Sequence, residues 1–192
     1  MTRKSYVVAL DEVLAPMGFK RTEKQWSRVV GTMQEEVSLQ WSQFAGTTAN
    51  LWSKDLATEE LLRQAIPWKR TALLASIDRI GELMRGNDRW WKNDPNGPAE
   101  LAEAIRVHAP PYFEGKRSLE DQARLFGRAE PRWMPSGTAS RMYLALTLYR
   151  MGELEEACAA LRGPPPRTAP TSWVAQAESV RKWLGCPPWS QP

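Results

Sequence analysis

The sequence predicts an α+β fold: an antiparallel sheet of about four strands packed with helices, followed by a C-terminal helical hairpin and a last helix. Three observations carry this. Between Lys24 and Lys54 the segments "KQWSRVVG", "EEVSLQWSQ" and "TTANLWSK" suit strands, and in the second Val37, Leu39 and Trp41 alternate with Ser38, Gln40 and Ser42, as a strand with one buried face requires. The connection "GTMQE" is short enough for a hairpin, which makes the first two segments antiparallel neighbours. Beyond "RAEPRWMPSG" the apolar spacing is purely helical.

Val7, Leu10, Val13 and Leu14 fall on one face of a helix that Pro16 and Gly18 stop. After the strand segments, "TEELLRQAIPWKR" reads as a short helix with Thr58 as N-cap, Glu60 near the first turn, and an end near Pro67. "TALLASIDRIGELMRGNDRWW" fits either a helix or a long strand by periodicity. "NDPNGP" is a dense turn signal, and Pro98 suits the first turn of a helix "PAELAEAIRVHA" that Pro110 and Pro111 end. "SLEDQARLFG" is capped by Ser118 and stops at Gly127. "TASRMYLALTLYRMGELEEACAALRG" gives two helices bent at Gly152, "PPPRTAP" separates them from the helix "TSWVAQAESVRKWLG", and the tail "CPPWSQP" is irregular. The hairpin is similar to one tetratricopeptide helix pair, but it occurs once, and a solenoid needs about three repeats. The expected domains are 1–130, α+β, and 131–192, a helical extension packed on the first part.

At 192 residues with 42% hydrophobic content, the chain has enough apolar material for a real core. Only two cysteines occur, Cys158 and Cys186, at a spacing that matches no zinc or CxxC pattern, so reduced thiols and a cytoplasmic setting are expected. There is no signal-peptide pattern and no run of 18 apolar residues, which predicts neither export nor membrane spanning. The net charge of +4 is spread from Arg3 to Arg181 among acids, whereas a nucleic-acid footprint concentrates its basic residues. The ten tryptophans are the more unusual feature, since large aromatics serve both cores and interfaces.

Reaction chemistry is hard to find. The single histidine, His108, lacks a recognisable nucleophile and orienting acid, and Glu114 or Asp121 are its only candidate partners in an enzyme reading. One histidine argues against a His-based metal centre. The Gly-Lys pair of "EGKRS" would need a glycine at position 110 for a phosphate loop, where Pro110 stands. No GxGxxG follows a strand, and no cofactor is expected. Lys20, Arg21, Lys24, Trp26 and Arg28 form a candidate single-strand stacking platform. Trp26, however, faces a partner strand carrying Val37, Leu39 and Trp41, so at least one tryptophan is needed to cover the sheet.

In order along the chain stand "MGFK" at 17–20, Trp26 and Arg28, "SLQWS" at 38–42, "ANLW" at 49–52, "DRIGELM" at 78–84 and "DRWWKND" at 88–94. This series resembles the bacterial family called domain of unknown function 4304, over residues 5–127, with "NLWSKD" departing from the family's asparagine-leucine-glycine. The resemblance implies a strand for "SIDRIGELM" and places one ring of the Trp90–Trp91 pair as a plug at that strand's end, with the other at the rim. It lends no enzymatic activity. Some relatives look like immunity proteins that neutralise a toxin by binding it, which needs no catalytic residues. The expectation is therefore a non-catalytic protein-binding protein, an immunity-type antidote to a toxin domain, with Trp52, Arg79, Arg89, Trp90 and Trp91 as its partner surface. The alternatives are a nucleic-acid-associated factor using the Lys20–Arg28 hairpin and an enzyme built around His108.

Overall fold

The computed structural model describes residues 3–67, 76–86, 88–92, 94–127, 137–162 and 171–189. The expected linker "PPPRTAP", the "TALLA" segment and the end of the tail lie outside them. The architecture is α+β, with one antiparallel sheet ordered β1-β2-β3-β4-β5 and eight helices among the described residues. The chain divides into two compact units, Met1–Lys54 with Ala75–Gly115, and Asp55–Leu74 with Lys116–Pro192. That division differs from a boundary at residue 130. Leu62, Ala65, Ile66 and Phe126 bury in the same apolar cluster as Met142, Leu146, Leu161 and Val180, so the helices carrying them group with the C-terminal ones.

In the first unit, α1 (Arg3–Leu14) buries Tyr6, Leu10 and Leu14. Strands β1 (Lys20–Thr22), β2 (Gln25–Val30), β3 (Met33–Ser42) and β4 (Gly46–Asp55) follow as a meander. The β2–β3 hairpin closes at Gly31, whose φ of 60° suits glycine. β1 adds a strand the sequence did not signal, because "KRT" has no apolar alternation and is exposed throughout. On β3 the odd-numbered residues from Met33 to Leu39 are buried; Val37 and Leu39, with Ala49 and Leu51 of β4, share one core with Leu10 and Leu14 of α1 and with Leu101 and Ile105.

Three expectations in this region are corrected. "SIDRIGELM" is not one strand: β5 covers only Ser76–Arg79, and Ile80–Arg85 form helix α3. Ile80 is buried, and Leu83 and Met84 pack on the same core at i+3 and i+4, a helical spacing. Helix α4 (Gly97–Glu114) runs through Pro110 and Pro111. Ala109, Tyr112 and Phe113 are buried there, and that burial outweighs the backbone hydrogen bonds the prolines forgo. His108 is thus inside a helix rather than at its end.

In the second unit, α2 (Leu56–Ala65) is capped not by Thr58 but by Asp55, whose Oδ1 accepts from the Ala57 and Thr58 N–H groups at 2.9 and 3.4 Å. The other Asp55 oxygen accepts from Gln122 Nε2 at 3.2 Å and from Arg150, which also donates to Thr58 Oγ1. One carboxylate therefore ties α2 to α5 (Leu119–Gly127) and α6 (Gly137–Arg150). Ser118 caps α5 as expected, accepting from Asp121 N at 3.0 Å. Gly152, with φ of 86°, bends the chain between α6 and α7 (Leu154–Ala160), and α8 is Thr171–Trp183.

The cysteines are joined. Cys158 on α7 and Cys186 just past α8 form a disulfide with Cα atoms 5.4 Å apart, which corrects the expectation of reduced thiols. The fold brings together two residues whose spacing carries no motif. Arg181 holds the approach by donating to the carbonyl oxygens of Cys186 and Pro187, and Trp189 Nε1 donates to Leu161 O at 2.7 Å. Among the described residues no helix is long and apolar enough to cross a membrane.

A candidate protein-binding face

Cross-strand register decides which side chains share a face. Asn50 opposes Arg79, and Trp52 opposes Ile77; directly opposed residues project to the same side of a sheet. Ala49 and Leu51 point into the core, so Asn50, Trp52, Ile77 and Arg79 project to the other side. Asn50 Nδ2 donates to Gln40 Oε1 at 3.2 Å and Trp52 Nε1 donates to Ser38 Oγ at 3.0 Å. Two rows result, Gln40–Asn50–Arg79 and Ser38–Trp52–Ile77. Their polar groups fix the half-buried Trp52 ring without hiding it, leaving an amphipathic aromatic on the face.

The segment Asp88–Lys92 continues this edge. Trp91 exchanges both backbone hydrogen bonds with Thr47 at 2.8 Å, an isolated antiparallel bridge. Thr47 points inward with Ala49, so Trp91 does too, and its ring is 3% exposed in the core. Trp90, one residue earlier, lands on the outer side. There its Nε1 donates to Asp88 Oδ2 at 2.9 Å, and the Arg79 guanidinium, ion-paired with Asp88, lies 5.3 Å from its ring centroid. The plug expected of one ring is Trp91, but it bridges β4 directly, because a helix now separates it from β5.

Three glycines make room for this segment. An added Cβ would stand 2.2 Å from Trp91 O at Gly46, 2.2 Å from Arg89 N at Gly81, and 2.4 Å from the Tyr6 hydroxyl at Gly97. At Gly46 and Gly81 the backbone of residues 89–92 therefore seats only against glycine, while at Gly97 the close atom is the Tyr6 hydroxyl and Lys92 O lies at 3.1 Å.

Of the residues expected to contact a partner, the structure thus brings Trp52, Arg79 and Trp90 together on the outer face. Trp91 is a core residue, and Arg89 supports it: the guanidinium lies 4.9 Å from the Trp91 ring centroid and pairs with Glu100 at 2.6 Å. Ile77 and Asp88 complete the face and escaped the sequence reading. Ile77 was hidden in the ambiguous segment, and Asp88 carries no signal until Arg79 and Trp90 are placed around it. Beneath the face, the Tyr112 hydroxyl donates to Leu51 O at 3.1 Å and lies 3.2 Å from Ser76 Oγ, itself 3.0 Å from Ser53 Oγ. Burial first, and then the negative charge of Asp78, push the Tyr112 phenol well above its ordinary pKa.

The basic hairpin is built differently from a stacking platform. Trp26 is 1% exposed and its Nε1 donates to Asp11 Oδ1 at 2.8 Å, so its ring has no face for a base. Arg28 is spent on Glu35 at 2.7 Å, and Arg21 pairs with Asp11 at 2.9 Å. Lys20 and Lys24 remain exposed. His108 and Glu114 lie six residues apart on α4, outside the i, i+3 and i, i+4 spacings that bring side chains together. Asp121 belongs to the second unit, where it is engaged by Ser118 and Arg124. Among the described residues no cluster of three or more His, Cys, Asp or Glu side chains has metal-binding geometry. No family model, no curated protein and no solved structure matches the chain.

Proposed function

We propose that this is a non-catalytic binding protein that docks another protein on the outer face of its sheet. The observation that supports the reading is the cluster of Trp52, Ile77, Arg79 and Trp90, in which two indoles and a guanidinium are fixed by hydrogen bonds and an ion pair before any partner arrives. Tryptophan and arginine dominate interface hot spots, and side chains already held in place lose little further entropy on binding. The more specific form, an immunity-type antidote to a bacterial toxin, rests on the resemblance to domain of unknown function 4304. A cytoplasmic setting belongs to that form and stands against the disulfide, since such bonds are rare in reducing compartments. Alkylation of the protein at the moment of lysis distinguishes the two: blocked thiols support the cytoplasm, and an intact bond places the protein in an oxidising compartment.

The test is site-resolved crosslinking. Photo-reactive residues replace Trp52, Trp90 and, as a remote control, Glu12 on α1, and the protein is exposed to lysate of its source. The expected outcome is one protein adduct shared by positions 52 and 90 and absent at 12. The adduct at position 52 should disappear in a folded Arg79→Ala, Trp90→Ala variant, and in the antidote form co-expression should relieve the partner's toxicity. Adducts no different from the control, or adducts removed by nuclease, would overturn the reading.

A further inference from the structure

A cavity of about 570 Å³ lies in the second unit, between α7 and the tail that follows α8. One wall is a single face of α7 and its cap, where Leu154, Cys158 and Leu161 recur at i, i+4 and i+7 with Glu155 and Arg162 beside them; that spacing turns side chains to one side of a helix. The other wall is Pro187, Pro188 and Trp189. The disulfide joins Cys158 of the first wall to Cys186, the residue immediately before the second, so it ties the walls together. Its two ends are placed differently: Cys158 is half-buried and lines the cavity, whereas Cys186 is 8% exposed and does not. Exchange at a disulfide depends on which sulfur a thiolate can reach. From this cavity it reaches Cys158 first.

The cavity is walled mostly by apolar side chains and has the size of a small-molecule site. We propose that Cys158 is a site of thiol–disulfide exchange, at which a low-molecular-weight thiol entering this cavity forms a mixed disulfide and releases Cys186. The incoming thiolate sulfur bonds to Cys158 Sγ, the Cys158–Cys186 bond breaks, and its electron pair leaves on Cys186 Sγ, which takes a proton from water. Two routes lead on. A second thiol can attack the outer sulfur, which leaves Cys158 as a thiol and joins the two small thiols as a disulfide, so that the protein gains the two electrons they lose. Alternatively Cys186 attacks Cys158 Sγ, expels the small thiol and restores the bond. The tail is positioned for this return, because Arg181 donates to the carbonyl oxygens of Cys186 and Pro187, and Trp189 Nε1 to Leu161 O at 2.7 Å, whether or not the sulfurs are joined. The modification is therefore reversible.

The test uses the full oxidised chain and 2-mercaptoethanol. Samples are quenched with N-ethylmaleimide at the earliest detectable cleavage, digested with trypsin, which cuts between the cysteines at Arg162 and Arg181, and mapped by mass spectrometry. The expected product carries mercaptoethanol on Cys158 and maleimide on Cys186, in about tenfold or greater excess over the reverse adduct. Native cleavage should run within about a thousandfold of the rate in denaturant, because a bond reached only through global unfolding is slower than that. Neither readout needs a substitution, so neither depends on a variant's folding. Leu154→Trp, at a position 46% exposed, narrows the mouth and should slow native cleavage about tenfold while leaving the rate in denaturant unchanged. A smaller preference for Cys158, or a preference for Cys186, would overturn the proposal. So would native cleavage slower by more than about a thousandfold, or an unchanged native rate in Leu154→Trp.

Discussion

Glu35 is the most demanding residue of the first unit. It stands on the core face of β3, directly across from Arg28 in register, with its side chain 1% exposed and that of Arg28 19% exposed. The Arg28 Nε donates to it at 2.7 Å while the guanidinium also reaches Met17 O and lies 4.4 Å from the Phe19 ring centroid. Arg28→Met keeps the apolar stem and takes the Arg28 cation away from a buried carboxylate. Breaking a buried pair from one side costs about 3–5 kcal/mol, and the partial solvent access of Arg28 places this case near about 3 kcal/mol. Glu35→Leu leaves a cation that can turn to water and keeps its carbonyl partner, for a loss of about 1 kcal/mol. The double variant replaces both charges by apolar groups and should fall within about 1 kcal/mol of the parent. The coupling between the two sites is then about 3 kcal/mol in favour of the pair. Urea unfolding of the four proteins at neutral pH, followed by circular dichroism, measures it. An additive cycle, with the double variant as weak as the sum of the singles, would show that the loss comes from packing and would refute the broken ion pair as its cause.

Three further outcomes follow from the same geometry. Tyr112 holds its proton to higher pH in the folded chain than when unfolded, so its contribution is complete below the unfolded phenol pKa of about 10 and is lost as pH rises above it. The stability of the parent should therefore fall there more steeply than that of Tyr112→Phe, by up to about 1.4 kcal/mol per pH unit, and parallel pH profiles would contradict the buried phenol. The Cys158–Cys186 bond spans a sequence separation of 28, so replacing both cysteines by alanine should cost about 3–4 kcal/mol in the chain-entropy account; thiol titration of unfolded, unreduced protein should detect no free thiol, and two titratable groups would exclude the bond. Gly81→Ala should destabilise by about 2 kcal/mol or more because its Cβ meets the Arg89 backbone, whereas Gly31→Ala, open to space but at φ of 60°, should lose only about 1 kcal/mol; equal thermal shifts would refute the close approach at Gly81.

The alternation of Val37, Leu39 and Trp41, the cap at Ser118 and the bend at Gly152 are local features, and all three were legible in the sequence. What escaped depends on distant residues. α4 continues past Pro110 because Tyr112 and Phe113 find the core, and neither propensity nor turn chemistry contains that information. Asp55 outcompetes Thr58 as a cap while also accepting from Arg150, 95 residues away. The cysteines carry no motif, and only the fold, which returns the segment after α8 to the end of α7, makes them neighbours. Of the candidate face, residue type pointed to Trp52, Arg79 and Trp90, but it also drew in Trp91, since composition cannot tell an indole on one side of a sheet from an indole on the other.

Parity is what separates the two tryptophans. With Trp91 opposite Thr47, the even-numbered Trp90 faces outward, and a slip of one residue would exchange them, placing Trp90 in the core and Trp91 beside Arg79. Both rings are the same size, so the apolar volume delivered to the core would not oppose the slip. The opposition comes from the backbone: Gly46 and Gly81 each receive a backbone atom of this segment at a distance no Cβ allows, and Gly97 receives the Tyr6 hydroxyl that donates to Lys92 O. Thr48 Oγ1 adds a hydrogen bond to Arg89 O at 3.1 Å, and the Arg89–Glu100 pair anchors the segment to α4. These contacts select a single register, and the Arg79–Asp88–Trp90 cluster exists only in that register. The outer face is therefore coupled to three glycines that lie off it. Substituting one of them should disturb the environment of Trp90 as well as lower stability, an effect that a merely local cavity or clash at residue 81 would not produce.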